Sequence, residues 1–116
     1  MAKNHQVSDG ETVQITLMAT KEKGTPWYQD KFHGFICEDG SSGDSVALDI
    51  ALREWQVNIG QLTAGKGDVI YINITSGALS NTNTDRPFAR VSQAKDANNV
   101  AWLVLLPQCA TEAELV

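Results

Sequence analysis

The chain is poor in the residues from which reactive centres and membrane anchors are usually built. Among its 116 residues it has two cysteines, two histidines and three prolines. Cys37 and Cys109 show neither metal-binding spacing nor a disulfide framework, so two reduced thiols are expected, Cys37 packed as a small apolar group and Cys109 on a tail. His5 and His33, with Asp30, Glu38 and Asp39 near them in sequence, match no compact metal site, and no cofactor is implied. No apolar run approaches the ~20 residues of a membrane span, and the opening Met1-Ala2-Lys3-Asn4-His5-Gln6 lacks the apolar stretch of a signal peptide. Positive charge is also scarce. Nine Lys and Arg against fourteen Asp and Glu give a net charge of -5, which argues against nucleic acid and against an anionic membrane surface as partners. Helical periodicity over three turns is missing throughout, apart from a short acidic tail.

What the chain does have is period-two alternation between turn signals. The clearest stretch runs from Gly65 to Gly77, where Ile70, Ile72 and Ile74 alternate with Val69, Tyr71, Asn73 and Thr75. That pattern predicts a half-buried strand with the isoleucines facing a core and Tyr71, Asn73 and Thr75 facing water or a partner. Residues 1–10 are polar and without periodicity, and are expected to form a flexible arm. From Glu11 to Ala19, Val13, Ile15, Leu17 and Ala19 share one face of a first strand. Lys21 to Pro26 reads as a loop leading into Trp27 and Tyr28. Phe32 to Glu38 predicts a short strand, in which Gly34 marks a bulge or a close backbone approach.

Ser45 to Leu52 alternates again, with Val46, Leu48, Ile50 and Leu52 inward. The inward parity then changes to Trp55, Val57 and Ile59, so a bulge or tight bend is expected near Leu52 to Glu54. Ser76 to Thr84 reads as an exposed loop. Pro87 to Val91 predicts an edge strand, because Pro87 has no N–H to give a ladder. Val100 to Leu106 is apolar on both faces and is expected to be the most buried strand, with Trp102 in the core and Pro107 ending it. Short strands separated by frequent turns predict an all-β fold, a small antiparallel barrel or sandwich over 11–107, between an arm at 1–10 and a short C-terminal tail at 108–116.

Three motifs invite a chemical reading. Gly43-Asp44-Ser45-Val46 matches the opening of Gly-Asp-Ser hydrolases, but a serine needs a base in reach to become nucleophilic. Both histidines precede Ser45, and the β pattern lacks the helix that follows such a serine, so the segment is read as a turn-to-strand junction and the chain as a non-enzyme. Gly65-x-Gly67 lacks the remaining elements of a phosphate loop and reads as a hairpin turn. Asn73-Ile74-Thr75 is a glycosylation sequon by chance, given no secretory signal. The aromatic residues Trp27, Tyr28 and Trp55 are the candidates for an interface, since Trp and Tyr are enriched at binding hot spots.

Over residues 1 to 107 the chain resembles the short head-decoration, or capsid cement, proteins of tailed bacteriophages. The elements that carry the resemblance occur in the family's order. They are Met1-Ala2-Lys3-Asn4, Asp9-Gly10-Glu11-Thr12-Val13, Gly24-Thr25-Pro26, His33-Gly34-Phe35-Ile36, Ser42-Gly43-Asp44-Ser45-Val46-Ala47-Leu48, Leu62 to Tyr71, and Phe88-Ala89-Arg90-Val91. Pro87-Phe88-Ala89 stands where a glycine-led strand is expected, and the tail after Pro107 is extra. The resemblance implies a non-enzymatic virion protein on the outer capsid surface, a homotrimer bound to the major capsid protein, with no small-molecule substrate. In that reading Lys3, Asn4, His5, Gln6 and Val7 of the arm, with Val13 and Ile15 of the first strand, contact the capsid by adding to an exposed strand edge. The rival expectation is a small β-barrel module that binds a glycan or a protein on an aromatic surface made of Trp27, Tyr28 and Trp55.

Overall fold

A computed structural model describes residues 11–108. Nine strands make up the fold, and there is no helix among the described residues. In chain order they are β1 (Thr12–Thr16), β2 (Pro26–Gln29), β3 (Phe32–Ile36), β4 (Ser45–Asp49), β5 (Glu54–Asn58), β6 (Val69–Ile72), β7 (Leu79–Ser80), β8 (Arg86–Gln93) and β9 (Val100–Leu105). They form two curled antiparallel sheets, one ordered β1-β4-β3-β2 and the other β5-β9-β8-β6-β7. The domain is therefore all-β and barrel-like, as the turn spacing predicts. The expected arm and all but the first residue of the expected tail lie outside the described residues.

Each sheet has its own core. In the four-stranded sheet, alternation along β1 and β4 brings Ile15, Leu17, Val46 and Leu48 together with Ile36, all at most 2% exposed, and Val13, Trp27, Phe32 and Ile50 pack at the margin. The sheet curls so tightly around this cluster that its two edges approach each other, and the Gln29 side chain of β2 donates to the Thr16 carbonyl of β1 at 2.6 Å. The tight curl also accounts for Gly34. A Cβ there would sit 2.1 Å from the Asp49 carbonyl oxygen, so the expected close backbone approach is real and excludes every side chain.

The larger core lies inside the five-stranded sheet. Val57, Ile70, Ile72, Phe88, Ala89, Val91, Ala101, Leu103 and Leu105 meet there, and Phe35 crosses from β3 to join them. Phe35 stacks on Trp55 with centroids 4.2 Å apart and meets Phe88 edge-on at 5.3 Å. These contacts tie the two sheets together, because successive residues of β3 face opposite sides and Ile36 belongs to the other cluster.

Several expectations are corrected. The parity change near Leu52 is a corner where the chain leaves one sheet for the other, since β4 and β5 belong to different sheets. Leu52 sits on that corner and is 61% exposed instead of inward. Ile74 lies beyond the end of β6 and is 57% exposed, whereas Tyr71 is buried at 5%. The strand stops at Ile72 because the Asn73 side-chain oxygen accepts the N–H groups of Thr75 and Ser76, both at 2.9 Å, and turns the chain. β7 interrupts the expected Ser76 to Thr84 loop by pairing with β6.

β8 is an interior strand, not an edge, in spite of Pro87. Its register with β6 shifts between the Ile70–Ala89 and Tyr71–Pro87 pairs, leaving Phe88 as the extra residue. The missing N–H thus falls beside a bulge, where the ladder is already broken. The same bulge explains how neighbouring Phe88 and Ala89 both enter the core. Strand β9 follows the alternation more strictly than its composition suggests. Ala101, Leu103 and Leu105 are buried, while Val100, Trp102 and Val104 are half-buried on the outer face. Trp102 is accordingly not a core residue.

Candidate functional site

Of the residues expected to bind a capsid, Lys3, Asn4, His5, Gln6 and Val7 lie outside the described residues. Val13 and Ile15 are on β1, which is an edge strand. The Leu17 N–H donates to the Asp44 carbonyl and the Ile50 N–H to the Glu11 carbonyl, at 2.8 and 2.9 Å. Antiparallel pairing alternates, so Val13 and Ile15 share this inward-bonded side, and Thr12, Gln14 and Thr16 turn their backbone groups to the open edge. Thr16 has its carbonyl taken by Gln29; Thr12 and Gln14 present the edge. Ile15 is 2% exposed within the smaller core. Its side chain holds the sheet together and is not an anchor for a partner, while Val13 is half-buried at the margin.

The three aromatic residues do not make one surface. Trp27 and Tyr28 are neighbours on β2 and face opposite sides. The Trp27 ring packs on the smaller core, its indole N–H donates to Gln29 at 3.1 Å, and the Lys21 ammonium lies 4.0 Å from the ring centroid. The turn after β6 also presses on the ring, where a Cβ on Gly77 would fall 2.6 Å away. The interface Trp27 serves is internal. Tyr28 and Trp55 pack against the larger core instead, and an aromatic platform of Trp27, Tyr28 and Trp55 is not present.

Ser45 is exposed, and its hydroxyl donates to Gln14 at 3.2 Å. His33 is far from any such role. Its ring is fully buried, Nε2 donates to the Leu106 carbonyl at 2.9 Å, and Nδ1 accepts from Arg86 Nε at 2.7 Å. Burial pushes its pKa down to about 4, the Leu106 hydrogen bond opposes this, and the Arg86 charge adds to it. The imidazole is therefore neutral near pH 7 and acts as acceptor for a cation. Cys37 is a free thiol whose pKa is raised by burial first and by Asp49 and Glu38 next. Cys109 lies outside the described residues.

The cluster around His33 is what sequence reasoning missed. The Gln108 side chain accepts the His33 backbone N–H and donates to its carbonyl, both at 2.8 Å. It takes the place that a neighbouring strand would occupy. Arg86 lies beside both residues and 5.1 Å from the centre of the Tyr28 ring. Tyr28, Ile74, Thr84, Asp85 and Arg86 line a cleft of about 150 Å³. The contacts join positions 53 and 75 apart in sequence, and no local pattern announces them. A second surface missed in the sequence is the outer face of β9, where Val104 and Leu106 floor a mainly apolar groove rimmed by Lys66 and Arg90. Among the described residues no three His, Cys, Asp or Glu side chains gather as a metal site. No protein-family model, no curated protein and no solved structure matches this chain.

Proposed function

We propose that this protein is a capsid decoration protein of a tailed bacteriophage, binding the outer surface of the expanded head as a trimer and stabilising it. The reading rests on the ordered sequence elements that resemble that family. The structural observation that supports it is the position of β1. This strand follows directly on residues 1–10, stands at the edge of the four-stranded sheet, and turns Thr12 and Gln14 outward. A strand edge of the major capsid protein would pair there and continue along the arm by β-augmentation. Backbone bonds give net gains of only about 0.5–1.5 kcal/mol each, so one copy would bind weakly. Three copies on one site gain by avidity, about 10²–10⁴-fold when all engage together. Val100, Trp102 and Val104 on the outer face of β9 offer the trimer an apolar contact.

The test is co-sedimentation of the purified protein with expanded, undecorated heads of its own phage, beside unexpanded ones. Saturable binding to expanded heads in multiples of three per hexamer is expected, and deletion of residues 2–10 should abolish it while leaving the fold intact. Failure to bind either form would refute the decoration reading. Undiminished binding by the truncated chain would refute the role of the arm alone.

A further inference from the structure

Arg86 is a nearly buried cation that finds no counter-charge among the described residues. It is 8% exposed, and it contacts the neutral His33 ring at 2.7 Å, the Gln108 amide oxygen at 3.4 Å and the face of Tyr28. Among the described residues the ion pairs within 4 Å are those of Arg53 with Glu11 and Asp49, so no carboxylate reaches Arg86. A guanidinium removed from water and held by neutral groups alone is electrostatically incomplete. It also lines the cleft with Tyr28, Ile74, Thr84 and Asp85. From this geometry we infer that the cleft is a carboxylate-binding site, with Arg86 as the recognising cation.

The surroundings narrow the ligand. Arg86 is preorganised, since Nε is fixed by His33 while Nη2 makes only the long 3.4 Å contact to Gln108, so the terminal nitrogens keep donors for a planar, bidentate acceptor. At about 150 Å³ the cleft is small, enough for a side-chain-sized acid. Asp85 lines it too, and accepts the Ser80 hydroxyl at 2.7 Å. A fixed negative charge at the rim penalises a phosphate dianion more than a carboxylate. Ile74, 57% exposed beside the cleft, adds an apolar wall that favours an acid carried on an aliphatic stem, as in a glutamate side chain. The carboxylate could come from this chain's own Glu112 or Glu114, a few residues beyond Gln108, or from a separate molecule. The site does not depend on the capsid reading.

The experiment is an NMR titration of the full chain with butyrate, acetate and phosphate at matched ionic strength, following the Arg86 Nε–H and the His33 ring. For an external carboxylate, saturable shifts at both residues are expected with butyrate, about threefold or more tighter than with acetate because of the extra buried CH₂ groups, and none with phosphate. If the tail carboxylates fill the site, the wild type will not respond and the E112Q/E114Q chain will. R86Q should lose the response in either case. Absence of saturable shifts in both the wild type and E112Q/E114Q would overturn the inference, as would equal shifts with phosphate. These two readouts need no Arg86 variant, so they hold even if R86Q fails to fold.

Discussion

Acid should destabilise this protein through His33 in a defined window. The folded ring is held near 4 because it is buried and lies against the Arg86 cation, whereas the unfolded chain titrates near 6.5. Between those values the unfolded state takes up a proton that the folded state refuses. Stability is therefore fully present above about pH 6.5 and is lost as pH falls toward 4. The gap, at ~1.4 kcal/mol per pH unit, amounts to ~3 kcal/mol, of which about 2 kcal/mol should disappear between pH 7 and 4.5. Carboxylates also titrate near the bottom of this range, so the comparison must be with His33→Gln, which keeps a donor for Leu106 but has no titrating ring. Urea unfolding of both chains at pH 7, 5.5 and 4.5 measures the difference. The wild type should lose about 2 kcal/mol more than the variant across that range. The His33 ring signals should titrate well below 6. A midpoint at or above 6.5, or parallel stability curves, would refute the reasoning.

Two further outcomes test the packing. Gly34→Ala should cost about 3 kcal/mol or more, because the new Cβ would lie 2.1 Å from the Asp49 carbonyl oxygen, and backbone has to move. A guanidinium midpoint implying a loss under about 1 kcal/mol would mean that β3 and β4 separate easily. Phe35→Ala should cost about 3–5 kcal/mol, since Phe35 is fully buried and joins Trp55 and Phe88 across the two sheets. Thermal unfolding of this variant should remain one transition at lower temperature if the sheets form a single cooperative unit, and should split in two if they do not.

The edge of β1 illustrates how one sequence pattern serves two ends. Its odd-numbered residues Val13, Ile15 and Leu17 are spent on the smaller core, and its even-numbered neighbours Thr12, Gln14 and Thr16 stay polar and outward. An edge strand of this kind risks pairing with its own copies. Within Thr12–Thr16 the exposed face carries no apolar side chain, and the far end is closed by Gln29. What is left open is the half nearest the arm.

Local sequence determined the elements. Alternation at Val13–Leu17, Val46–Leu48 and Ile70–Ile72 marked strands and their buried faces, because a pleated backbone places every second side chain on the same side. Gly34 signalled a close approach, and the parity change after Leu52 signalled a break. Sheet membership was beyond such signals, since a corner and a bulge flip parity alike. The bulge at Phe88 rescued an interior place for Pro87, and only the register with β6 records it. The fates of Trp27 and Trp55 were likewise decided by which core each met, and that of Trp102 by its place on the outer face of β9. Arg86, His33 and Gln108 form their cluster through contacts between residues far apart in the chain. Periodicity reports which way a side chain points from its own strand; what it points at is set when distant strands come together.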